Sequence, residues 1–521
     1  MLGYDPWQEN GKQPICGELL YNKGFLITDD ASVSPALFPP FWECRSFGQF
    51  FIWHDCKLPF YFKRDMFLLG HAYHPQRMIE DEAVIIEEMA ELNGRDFWEY
   101  EAGLTGVYVM GRLEPDGSLK HWSDCAGMLV SYYGTIAGHY YLGSHVVPIA
   151  EHLSLREDPY ITKLKGSRYF RLFGNVLPAD CSPYRELKRT VPNHFYKSDG
   201  TKQRFFPFAP MEECATEAEY EEVVRESAEL LQNTLRLCAR KWEGKNIAIS
   251  LTGGKDSGVT LSAAKEVSSS FGYFSYISKP EEAVDAKAAA EICKRLSLPH
   301  KIIEIPTDAE QCPNYEAVKN TLYINGGRVG LLSSNEIRKR SILIQDGTVD
   351  VEIKSWVDEI SRAYWNKKYN KKRFPAKPTG RYLATLYKVF LENRRLFSMT
   401  AKKFTEYIAE YMTEEDICLF GDWLTLWSWE FGHSAGEGQH MTDEQTMAFD
   451  VTVPFNNRHL IAMMLKPKKE DRIADRLQKD LIRYNWPEEA ALGISVTNVA
   501  HDRKRALAER AYLEINSHLP F

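Results

Sequence analysis

The sequence lacks any apolar run near the ~18–20 residues needed to cross a bilayer. The best local candidate, Leu460 to Leu465, is far too short. The opening Met1-Leu2-Gly3-Tyr4-Asp5 has no positive segment followed by an apolar one, so no secretory leader is expected. Charge of one sign is not in large excess either. The 64 Lys and Arg against 72 Asp and Glu leave a net charge of -8, which argues against a general nucleic-acid surface. Cysteine occurs 10 times in 521 residues without regular spacing, which excludes a disulfide scaffold. Internal repeats and low-complexity tracts are missing. These absences lead us to expect a cytoplasmic chain with reduced thiols and with neither membrane nor nucleic acid as partner.

What is present is a folding composition. Hydrophobic residues make up 44% and aromatic residues 13%, enough for real cores. At roughly 100–200 residues per domain the length allows two to four domains. The first ~210 residues are short alternating or aromatic runs broken by Gly, Pro, Asn and Asp, with turn signals at Glu114-Pro-Asp-Gly and Ser198-Asp-Gly-Thr. Two helical patterns interrupt them, near Asp81–Leu92 and Val146–Leu153. This predicts a strand-rich α+β domain over 1–210.

A proline-bearing connection over residues 206–216 leads into a second domain, 211–521. It begins with a long amphipathic helix from Tyr220, whose apolar stripe is Val223, Val224, Leu230, Leu231, Leu235 and Cys238. Strands are expected at Asn246–Leu251, Tyr273–Ile277 and Lys301–Ile305, alternating with helices at Ser257–Val267 and Glu281–Leu296. That alternation implies a parallel sheet with crossover helices. After about residue 360 the pattern is mainly helical.

The sharpest local feature is Ile249-Ser-Leu-Thr-Gly-Gly-Lys-Asp-Ser-Gly-Val-Thr260, between a predicted strand and a predicted helix. Gly253 and Gly254 allow a tight turn with N–H groups close to a ligand, and Thr252 and Ser257 add hydroxyls. The positive end of the following helix makes the turn a candidate phosphate cradle. Neither of the two commonest nucleotide-loop patterns is matched. Asp256 inside such a loop repels phosphate unless a cation intervenes, and magnesium held between acid and phosphate is the natural answer. The plain alternative is a strand–turn–helix with glycines at a tight turn.

These residues carry a resemblance. Thr252-Gly-Gly-Lys-Asp-Ser257 resembles the Ser-Gly-Gly-x-Asp-Ser pyrophosphate loop of the N-type ATP pyrophosphatases, the asparagine synthetase family in particular. Lys354-Ser-Trp-Val-Asp-Glu-Ile-Ser-Arg-Ala-Tyr364 is similar to that family's Gly-Glu-Gly-Ala-Asp-Glu-Leu-Phe-Gly-Gly-Tyr, matching at Asp358, Glu359 and Tyr364 but not at the glycines. Val453-Pro-Phe-Asn-Asn-Arg-His-Leu460 resembles its Val-Pro-Phe-Leu-Asp-x-Arg segment. Trp122–Tyr133 and Leu187–His194 are similar to two segments of its N-terminal half.

The resemblance implies a glutaminase-like N-terminal domain of the N-terminal-nucleophile (Ntn) class, then a PP-loop ATP pyrophosphatase domain with a helical C-terminal part. The chemistry it implies is ATP-dependent adenylation of a carboxylate with release of pyrophosphate, then amide formation with release of AMP. Thr252, Gly253, Gly254, Lys255, Asp256 and Ser257 would bind ATP, and Asp256 and Asp358 would ligate Mg2+. The family's second acid aligns with Ser355 and its Pro-Phe-Leu-Asp acid with Asn457. Its catalytic lysine has two candidates here, Lys504 and Lys479, though a surface cation in a helix is the commoner role for each.

Glutaminase chemistry in such a domain needs a free N-terminal Cys, and position 2 is Leu. Ile15-Cys16-Gly17 resembles the Cys-Gly start of such domains and would serve only if everything before it were removed. The preferred reading is a buried Cys at the start of the first strand. The amine is then not made in this chain: it is free ammonia, ammonia from a separate glutaminase, or an amine on a substrate. The partners expected are therefore a small-molecule carboxylate and an amine. Two alternatives stand beside this reading: a degenerate member binding nucleotide or a partner without turnover, and a sugar-acid amidotransferase of polysaccharide or natural-product synthesis.

Three other features need a role. The basic run Lys367–Arg373 with Lys377 and Arg381 fits an anionic substrate, though a solvated loop is commoner. Gly70–His74 and His433–His440 show no cysteine or carboxylate at metal-ligand spacing, so both are taken as structural and no zinc site is expected. Trp423, Trp427, Trp429 and Phe431 read as core, with an acceptor pocket as the alternative.

Overall fold

The computed structural model describes residues 14–518 except 169, 171–175, 331–332, 388–392, 442–445, 495 and 497–498; the side chains of 446, 499–505 and 517–518 are also outside the description. The first half folds into two antiparallel sheets. One contains β1 (Phe25–Thr28), β2 (Trp42–Phe47), β3 (Phe50–Asp55), β8 (Tyr132–Ile136), β9 (His139–Gly143) and β10 (Lys188–Arg189), in the order β10-β8-β9-β1-β3-β2. The other contains β4 (Phe60–Lys63), β5 (Met66–Tyr73), β6 (Thr105–Leu113), β7 (Leu119–Ser123), β11 (His194–Lys197) and β12 (Lys202–Arg204), in the order β12-β11-β7-β6-β5-β4. The sheets pack face to face. His121 on β7 lies 2.6 Å from the Tyr140 hydroxyl on β9, and Tyr133 on β8 meets Tyr196 on β11 with ring centroids 4.5 Å apart. Both expected helices form, at Glu82–Ala90 and Val146–His152, the first capped by Asp81.

The long helix spans Glu217–Lys241, begins on a Thr216 cap, and buries the apolar stripe read from the sequence. Its far end is tied to the first half: Lys241 pairs with Glu82 at 2.6 Å, and Trp242 Nε1 donates to the Tyr73 hydroxyl at 2.8 Å.

The parallel sheet has five strands: β13 (Ile247–Ser250), β14 (Gly272–Ile277), β15 (Lys301–Glu304), β16 (Val351–Ile353) and β17 (Asp450–Thr452). Their order is β15-β14-β13-β16-β17, every pairing parallel. The chain leaves β13 in one direction to build β14 and β15, then returns to the other side for β16. The loops following β13 and β16 therefore diverge, opening a crevice at the carboxyl ends of the central strands where ligands of such sheets bind. The fold class is the expected one: a strand-rich α+β half, then a parallel-sheet α/β unit with a helical C-terminal part.

The halves share one continuous core. A buried polar seam crosses it at Asn456-Asn457-Arg458. Asn456 Nδ2 donates to Asp124 Oδ1 at 2.9 Å, and Asn457 Nδ2 to the Gly103 carbonyl at 2.8 Å. Arg458 donates to Glu101, Asn193 and the carbonyls of Ser123 and Asp124. No helix among the described residues is long and apolar enough to cross a membrane.

Candidate active site

Immediately after β13 the chain turns through Thr252, Gly253 and Gly254, and a helix runs from Lys255 to Ala263 with Gly254 as its N-cap. The Gly254 N–H donates to Thr252 Oγ1 (3.1 Å), and the Thr252 N–H donates to Ser257 Oγ (3.2 Å). The hydroxyls of Thr252 and Ser257 lie 3.1 Å apart. The Gly253 N–H donates to Asp285 Oδ1 at 3.2 Å, so a carboxylate already rests on the cradle. Gly253 has no room for a side chain: a Cβ there would lie 2.2 Å from Val496 Cγ2.

Across the crevice, the segment after β16 carries Asp358, fully buried, and Glu359, half-buried. Burial and the Asp256 carboxylate beside it hold the Asp358 carboxyl well above the usual range. Asp358 Oδ2 is buried with no hydrogen-bond partner among the described residues, while Oδ1 accepts from Gln478 at 2.8 Å. Arg362 lies against these acids. It pairs with Asp256, lies 4.0 Å from Asp358 Oδ2, and donates to Asp475 at 2.8 Å. Although burial disfavours its charge, Asp256, Asp358 and Asp475 hold Arg362 firmly as a cation.

Thr252, Asp256 and Ser257 line a cavity of ≈ 440 Å³. Its other walls include Tyr276, Trp356, Lys339 and Lys354. Lys339 lies 4.7 Å from the Tyr276 ring centre and pairs with Glu336, and Lys354 lies 4.7 Å from that of Trp356. Motif reading missed both lysines; Lys354 even stands where the resembling pattern has glycine.

A second cavity of ≈ 780 Å³ adjoins the first, and Glu359 lines both. Its walls are aromatic, with Tyr364, Trp365, Tyr387, Trp427 and Phe431, and it also carries Lys368, His433 and Glu437. All four residues of the Trp423–Phe431 cluster are buried, and two of them line this cavity.

The loop residues Thr252 to Ser257 and Asp358 thus converge on one crevice. The side chain of Lys504 lies outside the described residues. Lys479 is exposed, donates to the Ala474 carbonyl at 2.7 Å, and lines neither cavity. The basic run is anchored in part, while Lys372, Arg373 and Lys377 are exposed. Lys367 pairs with Asp475 at 2.5 Å, Lys371 with Glu514 and Lys377 with Glu414, and Lys368 faces the aromatic cavity. His71 and His74 are buried and join no metal-ligating cluster among the described residues; desolvation presses His71 down to about 3.

The expectation that His433–His440 lacks a carboxylate partner fails. His433 Nδ1 lies 2.9 Å from Glu437 Oε2, and Glu359 joins them from the opposite wall. The four-residue spacing of His433 and Glu437 was the available signal, since on a helix it places both side chains on one face.

Cys16 is half-buried and precedes a short 3-10 turn, Gly17–Leu19, rather than opening β1. Its backbone N–H donates to Thr321 Oγ1 at 2.7 Å, and it packs on a cluster with Val318 and Leu322. Burial raises its thiol pKa.

No family model and no curated protein matches the chain. Among solved structures it is similar to a glutamine-dependent NAD+ synthetase from Acinetobacter baumannii in complex with ADP, at 18% identity and a TM-score of 0.19, over 31% of this chain and 28% of that one. It is also similar to a glutamine phosphoribosylpyrophosphate amidotransferase from B. subtilis complexed with ADP and GMP, at 9% identity and a TM-score of 0.22, over 56% of this chain and 64% of that one. A U34-tRNA thiolase from Methanococcus maripaludis with its 4Fe-4S cluster is similar at 12% identity and a TM-score of 0.21, over 58% of this chain and 82% of that one.

Proposed function

We propose that the chain is an ATP- and Mg2+-dependent synthetase of the asparagine synthetase kind, with domains over 1–210 and 211–521, that activates a carboxylate as its acyl-adenylate and joins it to an amine. The observation that carries this reading is the placement of the Thr252–Ser257 loop. It follows the central strand of a parallel sheet at its switch point, faces Asp358, and opens on a cavity that adjoins a second one.

In this reading the loop N–H groups and the hydroxyls of Thr252 and Ser257 hold the β- and γ-phosphates. Asp285 leaves the Gly253 N–H as phosphate arrives. Tyr276 and Trp356 offer faces to the base, and Lys339 and Lys354 supply the positive charge that the unmatched family lysine would have given. The carboxylate enters from the aromatic cavity past Glu359 and attacks the α-phosphorus. The bond to the β-phosphate oxygen breaks, and pyrophosphate leaves on the loop. The amine then attacks the acyl carbon and AMP departs.

Asp256 and Asp358 fit magnesium, being two hard carboxylates of which one presents a buried, unpartnered oxygen. Bound there, the ion would neutralise the departing pyrophosphate.

A second reading, nucleotide binding without turnover, is favoured by Arg362 against the acids and by Asp285 on the cradle. Pyrophosphate exchange separates the two. With ATP, magnesium and a panel of carboxylates, labelled pyrophosphate should enter ATP, and Asp256→Ala should reduce the exchange at least a hundredfold. ATP binding with no exchange across the panel selects the second reading. Failure to bind ATP at all defeats both.

A further inference from the structure

We propose that Glu359, His433 and Glu437 form a binding site for one divalent ion of the zinc class, in the wall between the two cavities. One ligand atom from each residue lies within 4.8 Å of the other two. His433 closes a π-helical turn, Ser428–His433, and Glu437 follows one turn later in the helix Ser434–His440. Turns of this rare kind recur at functional sites because the extra residue re-aims side chains. Glu359 arrives from the segment after β16, so the site clamps the helical part to the sheet.

The second observation is the state of the ligand atoms. Glu359 Oε2, His433 Nδ1 and Glu437 Oε2 are all buried; His433 Nδ1 and Glu437 Oε2 lie 2.9 Å apart, and Glu359 Oε2 has no hydrogen-bond partner among the described residues. Buried polar atoms are ordinarily satisfied, so an unpartnered carboxylate oxygen aimed at a buried His–Glu pair is what a missing shared ligand leaves behind. The charges agree with this. Burial, then the Glu437 and Asp256 charges, push Glu359 up to about 8, while the carboxylates raise His433 against its burial.

One imidazole and two carboxylates suit zinc, and also manganese or iron, whereas magnesium favours oxygen ligands and retained water. The site is therefore distinct in chemistry from the Asp256–Asp358 pair. Three protein ligands leave a fourth position open, turned to the aromatic cavity, where it would take an anionic or amine head group of a small molecule. The inference does not depend on the synthetase reading.

The full-length chain, stripped with chelator, should bind one equivalent of Zn2+ in a competition titration with a chromophoric chelator in excess Mg2+. His433→Ala and Glu437→Gln should each weaken binding at least tenfold while ATP binding persists. If either variant misfolds, Co2+ substituted into the unmodified chain gives the answer: d–d bands without a thiolate charge-transfer band are expected. No stoichiometric Zn2+ uptake, unchanged affinity in both folded variants, or a thiolate band would each overturn the proposal. Pyrophosphate exchange plays no part in this test.

Discussion

Arg458→Ala tests what joins the two halves. The guanidinium is fully buried, and its four hydrogen bonds all end on residues of the first half. Its charge partner is Glu101, also fully buried, at 2.7 Å. Burial already lifts the Glu101 carboxyl to about 7 despite the pull of Arg458. Removing one partner of such a pair costs about 3–5 kcal/mol, because the other is left buried and uncompensated.

The pH profile adds a sign that simple loss of packing would not give. A carboxyl whose folded pKa lies above its unfolded value loses stability as pH rises between the two values. In the unmodified chain the Glu101 contribution should decline from near pH 4.5 to about 7 and then flatten. Without Arg458 the folded pKa climbs further, so the decline continues past pH 7 at up to ~1.4 kcal/mol per pH unit. Denaturant unfolding at pH 6, 7, 8 and 9 measures this, and adding Glu101→Gln should flatten the extra slope. Limited proteolysis should also find the 206–216 connection newly cleavable. A loss below ~1 kcal/mol, or a pH profile parallel to that of the unmodified chain above pH 7, would refute the account of this seam.

Two further predictions concern the loop and its support. Gly253→Ala places a Cβ 2.2 Å from Val496 and 3.1 Å from Ala288, so the cradle must shift and ATP affinity should fall at least tenfold by calorimetry. Gly254→Ala meets only Thr252 Oγ1 at 3.0 Å and should lose much less. Glu489 is buried, with Oε2 unpartnered among the described residues, and burial pushes it up to about 9. By the same sign, stability should fall as pH rises from 5 to 9. Glu489→Gln should recover up to about 4–5 kcal/mol at pH 8, read by denaturant midpoint.

Local period made much of this fold readable in advance. The expected strands at Asn246–Leu251, Tyr273–Ile277 and Lys301–Ile305 form within a residue or so of those limits, because each is a short apolar run between turn residues. The helix expected over Ser257–Val267 begins earlier, at Lys255, and gives way to a 3-10 segment, Lys265–Ser270. The strands β16 and β17 were not legible. Each has three residues, too few for a period, and β17 pairs with a neighbour almost a hundred residues upstream. The same non-locality hid Lys339, Lys354 and the meeting of Glu359 with His433. A glycine loop declares itself in six consecutive residues; a site assembled from several elements does not.

The segment 354–364 shows why a degraded motif is not the same as a degraded site. Its resemblance fails at the glycines, yet Ala363 keeps φ +47°, the left-handed backbone that a glycine adopts most easily. Trp356, in place of another glycine, lines the cavity beside the loop. Arg362, in place of a third, brings a cation to Asp256 and Asp358. Without it, two adjacent carboxylates would face each other in a buried setting with one fewer counter-charge. Ser355 stands where the resembling pattern has an acid, and its hydroxyl donates to Thr260 Oγ1 at 2.7 Å, on the helix that follows the loop. Set against the resembling pattern, the segment has one carboxylate fewer and one guanidinium more, and it turns through the left-handed Ala363. A non-glycine residue held in a left-handed turn costs on the order of 1 kcal/mol and persists only where the surrounding contacts over-determine it, and here those contacts are the charged groups that face the loop.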